Sequence, residues 1–185
     1  GSVVLLLLLV GGSWNGLVNR RESVARAWAQ VENQYQRRLD LVPNLVETVK
    51  GSAKFEKETL GAVIEARAKV GNITVDKSVL SDPASFKRFE EAQNGLSSAL
   101  TRLLAVAERY PDIKSTQNFR DLQVQLEGTE NRVTVARMDF NNAAQEYNSA
   151  IKRFPGMLVA RMGGFDERPY FEAVSGAETA PAVKF

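Results

Sequence analysis

The chain has 185 residues, 44% hydrophobic and 25% charged, with 24 Lys and Arg against 22 Asp and Glu and no Cys or His. That length suits one domain with a sizeable core, and the near-balanced, interleaved charges commit no face to a phosphate backbone, so nucleic acid is not an expected partner. The absence of Cys and His removes disulfides, thiol redox chemistry, zinc sites of imidazole or thiolate, and the usual general base.

The first element is an apolar run, Val3 to Val10. A span of bilayer needs about 20 apolar residues, and the run passes into Gly11, Gly12, Ser13 and Asn15, so residues 1–18 read as a short transmembrane anchor. Since residue 1 is Gly rather than Met, this reading takes the anchor as truncated upstream; the rival is the remnant of a secretory signal. Trp14 suits the interface, and Arg20 and Arg21 suit its watery side. Leu9-Val10-Gly11-Gly12 has the shape of a lipoprotein cleavage box with Gly12 in place of the acylated Cys. Gly12 and Gly16 form a GxxxG pair, a candidate close contact between two anchors.

A helical domain over residues 19–154 follows. Leu17, Val24, Trp28, Val31, Tyr35, Val42, Leu45 and Val49 recur in steps of three and four or their sums, the spacing of one helical seam. Pro43 predicts a bend rather than a stop, because the pattern resumes in phase at Leu45. Lys50-Gly51-Ser52 predicts a tight two-residue reversal, with Gly51 left-handed and Ser52 as the next cap. A single kinked helix from Trp14 to Val70 is the alternative. Phe55, Val63, Ala66 and Val70 mark a second helix, and the polar stretch Gly71 to Asp82 a loop. Asp82-Pro83 starts a third helix, carried by Phe86, Phe89, Leu96, Leu100, Leu103, Ala107 and Tyr110. The fourth has the longest repeat: Phe119, Leu122, Leu126, Thr129, Val133, Ala136, Phe140, Ala143, Tyr147, Ala150 and Phe154. The expected fold is therefore all-α, an antiparallel up-down four-helix bundle behind a membrane helix. Residues 155–173 are apolar and aromatic enough to dock at the membrane side, and 174–185 read as a flexible tail.

Motifs that carry chemistry elsewhere are weak here. Ser149-Ala150-Ile151-Lys152 matches S-x-x-K without its partner motifs. Glu56 with Glu58, and Glu90 with Glu91, read as solvated faces, and Asn72-Ile73-Thr74 is a sequon only for a eukaryotic secretory chain. More unusual are polar residues within the regular helices: Asn33, Gln34, Arg37, Arg38, Asp40 and Asn44 around the bend, and Asn131 and Arg137 on the fourth helix. Arg38 falls on the seam and must pair or snorkel. The set is either a register-fixing ion pair among solvated faces or a face for a partner.

Several segments together resemble one family: AWAQVENQYQRRLDLVPNLVETVKG (27–51), KFEKETLGAVIEARA (54–68), YPDIKSTQNFRDLQVQLEGTENRV (110–133), ARMDFNNAAQEYNSAIKRFPGMLVARMGGFDERPYFEA (136–173) and the terminal PAVKF. Their order and spacing resemble the LemA family over nearly the whole chain. Gly61 departs from the charged helix former often found there, and Gly12 from the lipobox Cys of some members. The resemblance implies a bacterial membrane protein with one N-terminal span, an antiparallel helical domain and no established catalytic residues. Residues and resemblance together point to a non-enzymatic scaffold in the bacterial cytoplasmic membrane. Its expected partners are the lipid bilayer, further copies of itself and an unidentified envelope protein, with no cofactor. Arg20, Arg21 and Arg26 lean the bundle towards the cytoplasm. The alternative is an oligomer that shapes or organises lipid, distinguished by whether it remodels liposomes.

Overall fold

The computed structural model describes residues 2–51, 55–73 and 77–172. Its helices are α1 (Ser2–Lys50), α2 (Lys57–Gly71), α3 (Pro83–Ala107), α4 (Pro111–Lys114), α5 (Gln117–Lys152) and α6 (Gly156–Gly163), with a 3₁₀ turn at Lys77–Leu80. No strand occurs among the described residues.

Local chemistry accounts for the boundaries. The Asp82 side chain accepts from the Ala84 and Ser85 amides at 3.2 and 3.1 Å, with Pro83 in the first turn of α3, where no amide hydrogen is missed. Thr116 caps α5 by accepting from the Phe119 amide. α1 runs unbroken through Pro43, as the in-phase repeat predicts. The reversal after it differs from expectation. α2 begins only at Lys57, and Gly51 is not left-handed; Ser52 lies outside the described residues. The sequence underestimated this turn because Phe55, assigned to the helix, instead precedes it and packs against Tyr110 at 5.1 Å.

The four principal helices alternate in direction. Trp28 meets Phe140 at 5.5 Å and Arg38 meets Glu130, which sets α1 antiparallel to α5. Trp28 also meets Phe86, and Arg38 also meets Gln93, so α3 runs parallel to α1. Ion pairs of Glu56 with Arg109 and Glu58 with Arg102 set α2 antiparallel to α3.

Two apolar clusters fill the bundle. One gathers Val42 to Val49 of α1 with Leu60 and Val63 of α2, Leu96 to Ala107 of α3, and Phe119 and Leu126 of α5. The other gathers Leu17 to Tyr35 with Val79, Leu80, Phe86, Phe89, Val133 to Tyr147, and Val159 to Phe171. α2 packs only in the first cluster. In the second, the 3₁₀ turn, α6 and an extended strap of residues 164–172 close the core in its place.

One expectation is not shown and another needs correction. Among the described residues no helix is long and apolar enough to cross a membrane. Residues 2–18 of the expected anchor form the N-terminal part of the continuous α1, where the apolar run gives way to Gly11, Gly12, Ser13 and Asn15 before charged residues arrive. Phe154, placed on the fourth seam, is 76% exposed because α5 ends at Lys152. The chain then turns through a cis Phe154–Pro155 peptide into α6. The tail expected over 174–185 lies outside the described residues.

Candidate functional site: a polar layer and a clamped strap

The two apolar clusters meet at a polar layer on which α1, α3 and α5 converge. Arg38, 1% exposed, reaches from α1 to both other helices. One terminal nitrogen donates to the two Glu130 carboxylate oxygens at 3.0 and 3.3 Å, and the other donates to the Gln93 carbonyl at 3.1 Å and to the Gln93 side-chain oxygen. The guanidinium also stacks over the Tyr35 ring, 4.8 Å from its centroid. Ser97 donates a further bond to Glu130. The expected partner for the seam arginine is therefore present, and it is Glu130. Glu130 sits at the edge of an open groove between α3 and α5, also lined by Ser97, Leu104, Glu127 and Asn131, which leaves its side chain 34% exposed.

A heptad further along α5, Arg137 makes the second tier. It donates to Glu90, to the Asn94 side-chain oxygen at 3.2 Å and to the Glu172 carbonyl at 3.0 Å, and lies over the Phe171 ring. Burial pushes the Glu90 carboxyl above its ordinary value, with Arg137 opposing. Glu90, read from sequence as part of a solvated face, is thus a buried ion-pair partner.

The other sequence candidates separate from this layer. Asn33, Arg37, Asp40, Asn44 and Asn131 are exposed, and Gln34 is half-buried with its side-chain oxygen unpartnered. Gly12 is exposed and Gly16 half-buried, on the part of α1 before Leu17. Ser149 and Lys152 form no joint site, since Lys152 pairs with Glu167.

The strap is held by a device that periodicity does not reveal. Asn148 accepts from the Arg168 amide and donates to the Arg168 carbonyl, both at 2.8 Å. Asn141 does the same to Phe171, both at 2.9 Å. Seven helical residues rise about 10.5 Å, and three extended residues about 10 Å, so a heptad of asparagines matches every third residue of an extended chain. The rungs recognise chiefly backbone, although Asn148 also donates to the Tyr170 hydroxyl at 2.9 Å. Between them, Arg168 donates to the Leu80 carbonyl and the Ser81 hydroxyl, tying in the loop before α3. Phe171 fills a socket of Trp28, Phe86 and Phe140, with centroids 6.2, 4.8 and 5.5 Å away. The signal in the sequence was Asn141 and Asn148 one position after Phe140 and Tyr147 of the seam, at the same heptad spacing.

Chemically, the charged and amide ends of the buried polar groups engage one another, while Arg38 Nε and the Tyr35 and Tyr147 hydroxyls have no hydrogen-bond partner among the described residues. The Glu90 and Glu130 carboxylates each carry an arginine, and the two clamping asparagines use both donor and acceptor on the strap. Such an arrangement fixes helix register and strap position.

The sequence profile of the LemA family matches residues 27–185, which include the polar layer and the strap. Magnetosome protein MamQ 2 of Paramagnetospirillum magneticum is 29% identical, over 96% of this chain and 71% of its own length. Magnetosome protein MamQ of Magnetospirillum gryphiswaldense is 28% identical over the same shares, and Protein LemA of Metamycoplasma hominis is 25% identical over 81% of this chain and 64% of its own. With the family's profile matching from Ala27 onwards, the chain belongs to the LemA family.

Proposed function

We propose that this chain is a non-enzymatic scaffold held at the bacterial cytoplasmic membrane by the apolar N-terminal end of α1, where it self-associates and presents its bundle to another envelope protein. The observation that carries this reading is the continuity of α1: one helix leads from the apolar run through both core clusters. A rigid helix of 49 residues, about 70 Å long, transmits the position of its N-terminal end to the whole bundle. The exposed polar residues Asn33, Arg37, Asp40, Asn44 and Asn131 supply the outward face. Confinement to a surface raises effective concentration, so weak contacts suffice.

Self-association through the anchor end draws support from its glycines. A Cβ placed on Gly12 would meet nothing within 4 Å, and one on Gly16 only the Arg20 guanidinium at 3.5 Å. Glycine inside a helix costs about 1 kcal/mol relative to alanine, and packing within the chain gives no reason for it at either place. A neighbouring helix does. The test is the mass of the full chain in mild detergent, by light scattering, beside a variant with Gly12→Leu and Gly16→Leu. An oligomeric parent and a smaller variant support the reading; a monomeric parent, or a variant of unchanged mass, overturns the role of this contact.

A further inference from the structure

α6 stands out among the described elements because it turns bulky apolar side chains to solvent. Met162 is 85% exposed and Leu158, one turn earlier, 51%. Phe154, a further four residues back, continues the stripe outside the helix. The opposite side of α6 is fixed tightly: a Cβ on Gly156 would lie 2.2 Å from the Ala150 carbonyl oxygen, and one on Gly163 2.6 Å from Trp14 and from Phe165. Glycine is therefore required at both ends, and Gly164, at φ +63°, turns the chain back into the strap. The helix is bound firmly with its apolar stripe facing away.

Its direction matters as much as its exposure. The two ends of α6 approach Leu17 and Trp14 of α1, positions only about 4.5 Å apart along the α1 axis, whereas α6 itself rises about 10 Å between Gly156 and Gly163. α6 thus crosses α1 steeply and lies across the end of the bundle. Trp14 and Val10, one turn apart on α1, are exposed at this end as well, and Leu8 and Val4 are exposed further along the helix. Arg20, Arg153 and Arg161 are exposed around it; Arg21 covers Phe165, Lys152 pairs with Glu167, and Glu22, Glu146 and Asp166 are further acids at this end. A short helix with an apolar face, set across a membrane-directed helix and rimmed by arginines, has the form of an interfacial helix.

We infer that α6, together with Phe154, rests in the headgroup region of an anionic bilayer, as a second lipid contact that sets the bundle upright beside the point where α1 meets the membrane. This rests on the reading that the N-terminal end of α1 is at the membrane. It gives that end a built collar rather than a loose exit, and it explains why apolar residues are displayed where core packing has no use for them.

The absence of native cysteine makes the test direct. Single variants Leu158→Cys and Met162→Cys of the full chain are labelled with an environment-sensitive fluorophore, beside Leu8→Cys in the apolar run and Met138→Cys on the exposed face of α5. Each is reconstituted with vesicles of phosphatidylethanolamine and phosphatidylglycerol, with and without brominated acyl chains, after circular dichroism has shown the parent's helicity. The expected result is blue-shifted emission, quenched by brominated lipid, at 158 and 162 and at 8, and neither effect at 138. Quenching at 8 with 158 and 162 behaving like 138 overturns the α6 contact while leaving the membrane reading intact. A blue shift at 158 and 162 without quenching means that a second copy covers the stripe, and also overturns it. Quenching at 158 and 162 but not at 8 upholds the α6 contact and overturns the anchor, and no quenching at any position overturns both.

Discussion

The Arg38–Glu130 pair predicts an asymmetry between its two ends. Arg38 is 1% exposed, whereas the Glu130 side chain is 34% exposed and keeps the Ser97 hydroxyl as a donor. Glu130→Gln keeps the shape but leaves the arginine's charge buried without a countercharge, a situation that costs about 3–5 kcal/mol. Arg38→Met removes the buried charge and fills much of its stem volume. Glu130 can then turn to water in the α3–α5 groove, and the Gln93 carbonyl retains its helical donor within α3. What is lost is chiefly a set of charge-assisted hydrogen bonds, about 1.5–3 kcal/mol before the added apolar packing offsets part of it. The expected order is Glu130→Gln well below Arg38→Met, and Arg38→Met modestly below the parent. At about 2–4 °C per kcal/mol for a domain of this size, Glu130→Gln lowers the melting temperature by about 10 °C. Urea unfolding followed by circular dichroism, with equal slopes for all variants, measures the differences. The double variant Arg38→Met with Glu130→Leu should recover most of the loss, since the buried charge and its countercharge go together. If Glu130→Gln costs no more than Arg38→Met, Arg38 is not a desolvated charge dependent on Glu130, and the account of the layer fails.

Phe140, fully buried among Trp28, Phe86 and Phe171, should cost about 3–5 kcal/mol on truncation to Ala; an unchanged urea midpoint would show that the second core cluster is not where stability resides. Asn148→Ala removes both bonds to Arg168 and should cost about 1–2 kcal/mol, with faster amide exchange at Arg168 than in α3; equal protection in variant and parent would mean that the strap is held without its rung. Because burial raises the Glu90 carboxyl above its ordinary 4.5, the folded state binds a proton more tightly than the unfolded chain does. The group's contribution is therefore full below the unfolded value and is lost as pH rises through the folded one. The stability of the parent relative to Glu90→Gln should accordingly fall as pH is raised from about 4 towards neutrality, and a relative gain over that range, measured by urea unfolding at each pH, would reverse the assignment.

Periodicity carried the helices because helix burial is a one-dimensional pattern. Every residue assigned to the α1 seam, from Leu17 to Val49, is buried, as are Phe86, Phe89, Leu96, Leu100, Leu103 and Ala107 of α3. On α5 the same rule placed Ala143 on the seam where Ala144 is the more deeply buried, and overlooked Asn148, which is buried although polar. A hydropathy pattern assigns asparagine to solvent; only the presence of a backbone to bond makes its burial tolerable. Arg38 was recognisable as needing a partner, but its identity depended on bringing together residues 92 positions apart. The segment after α5 is legible as apolar and aromatic, but its pattern does not separate the residues that pack on the helices, Phe165 and Phe171, from those left exposed, Phe154, Leu158 and Met162.

The strap also accounts for how helices of unequal length share one bundle. α1 and α5 have 49 and 36 residues, but α2 has only 15, so a fourth helix is lacking over much of the second cluster. Gln93 and the C-terminal end of α2 lie beside the same stretch of α1, around Tyr35 to Leu39, and there the core changes its fourth wall from helix to strap. A change of wall interrupts apolar packing and leaves polar backbone near the core, and the buried polar side chains concentrate beside it: Arg38 and Gln93 before it, Glu90 and Arg137 after it, then Asn141 and Asn148 along the strap. Since a shift of α5 by one turn would separate Glu130 from Arg38, Arg137 from Glu90 and both asparagines from the strap at once, the polar groups specify register more strongly than the apolar seam does, whose three-and-four repeat tolerates a slip by a heptad.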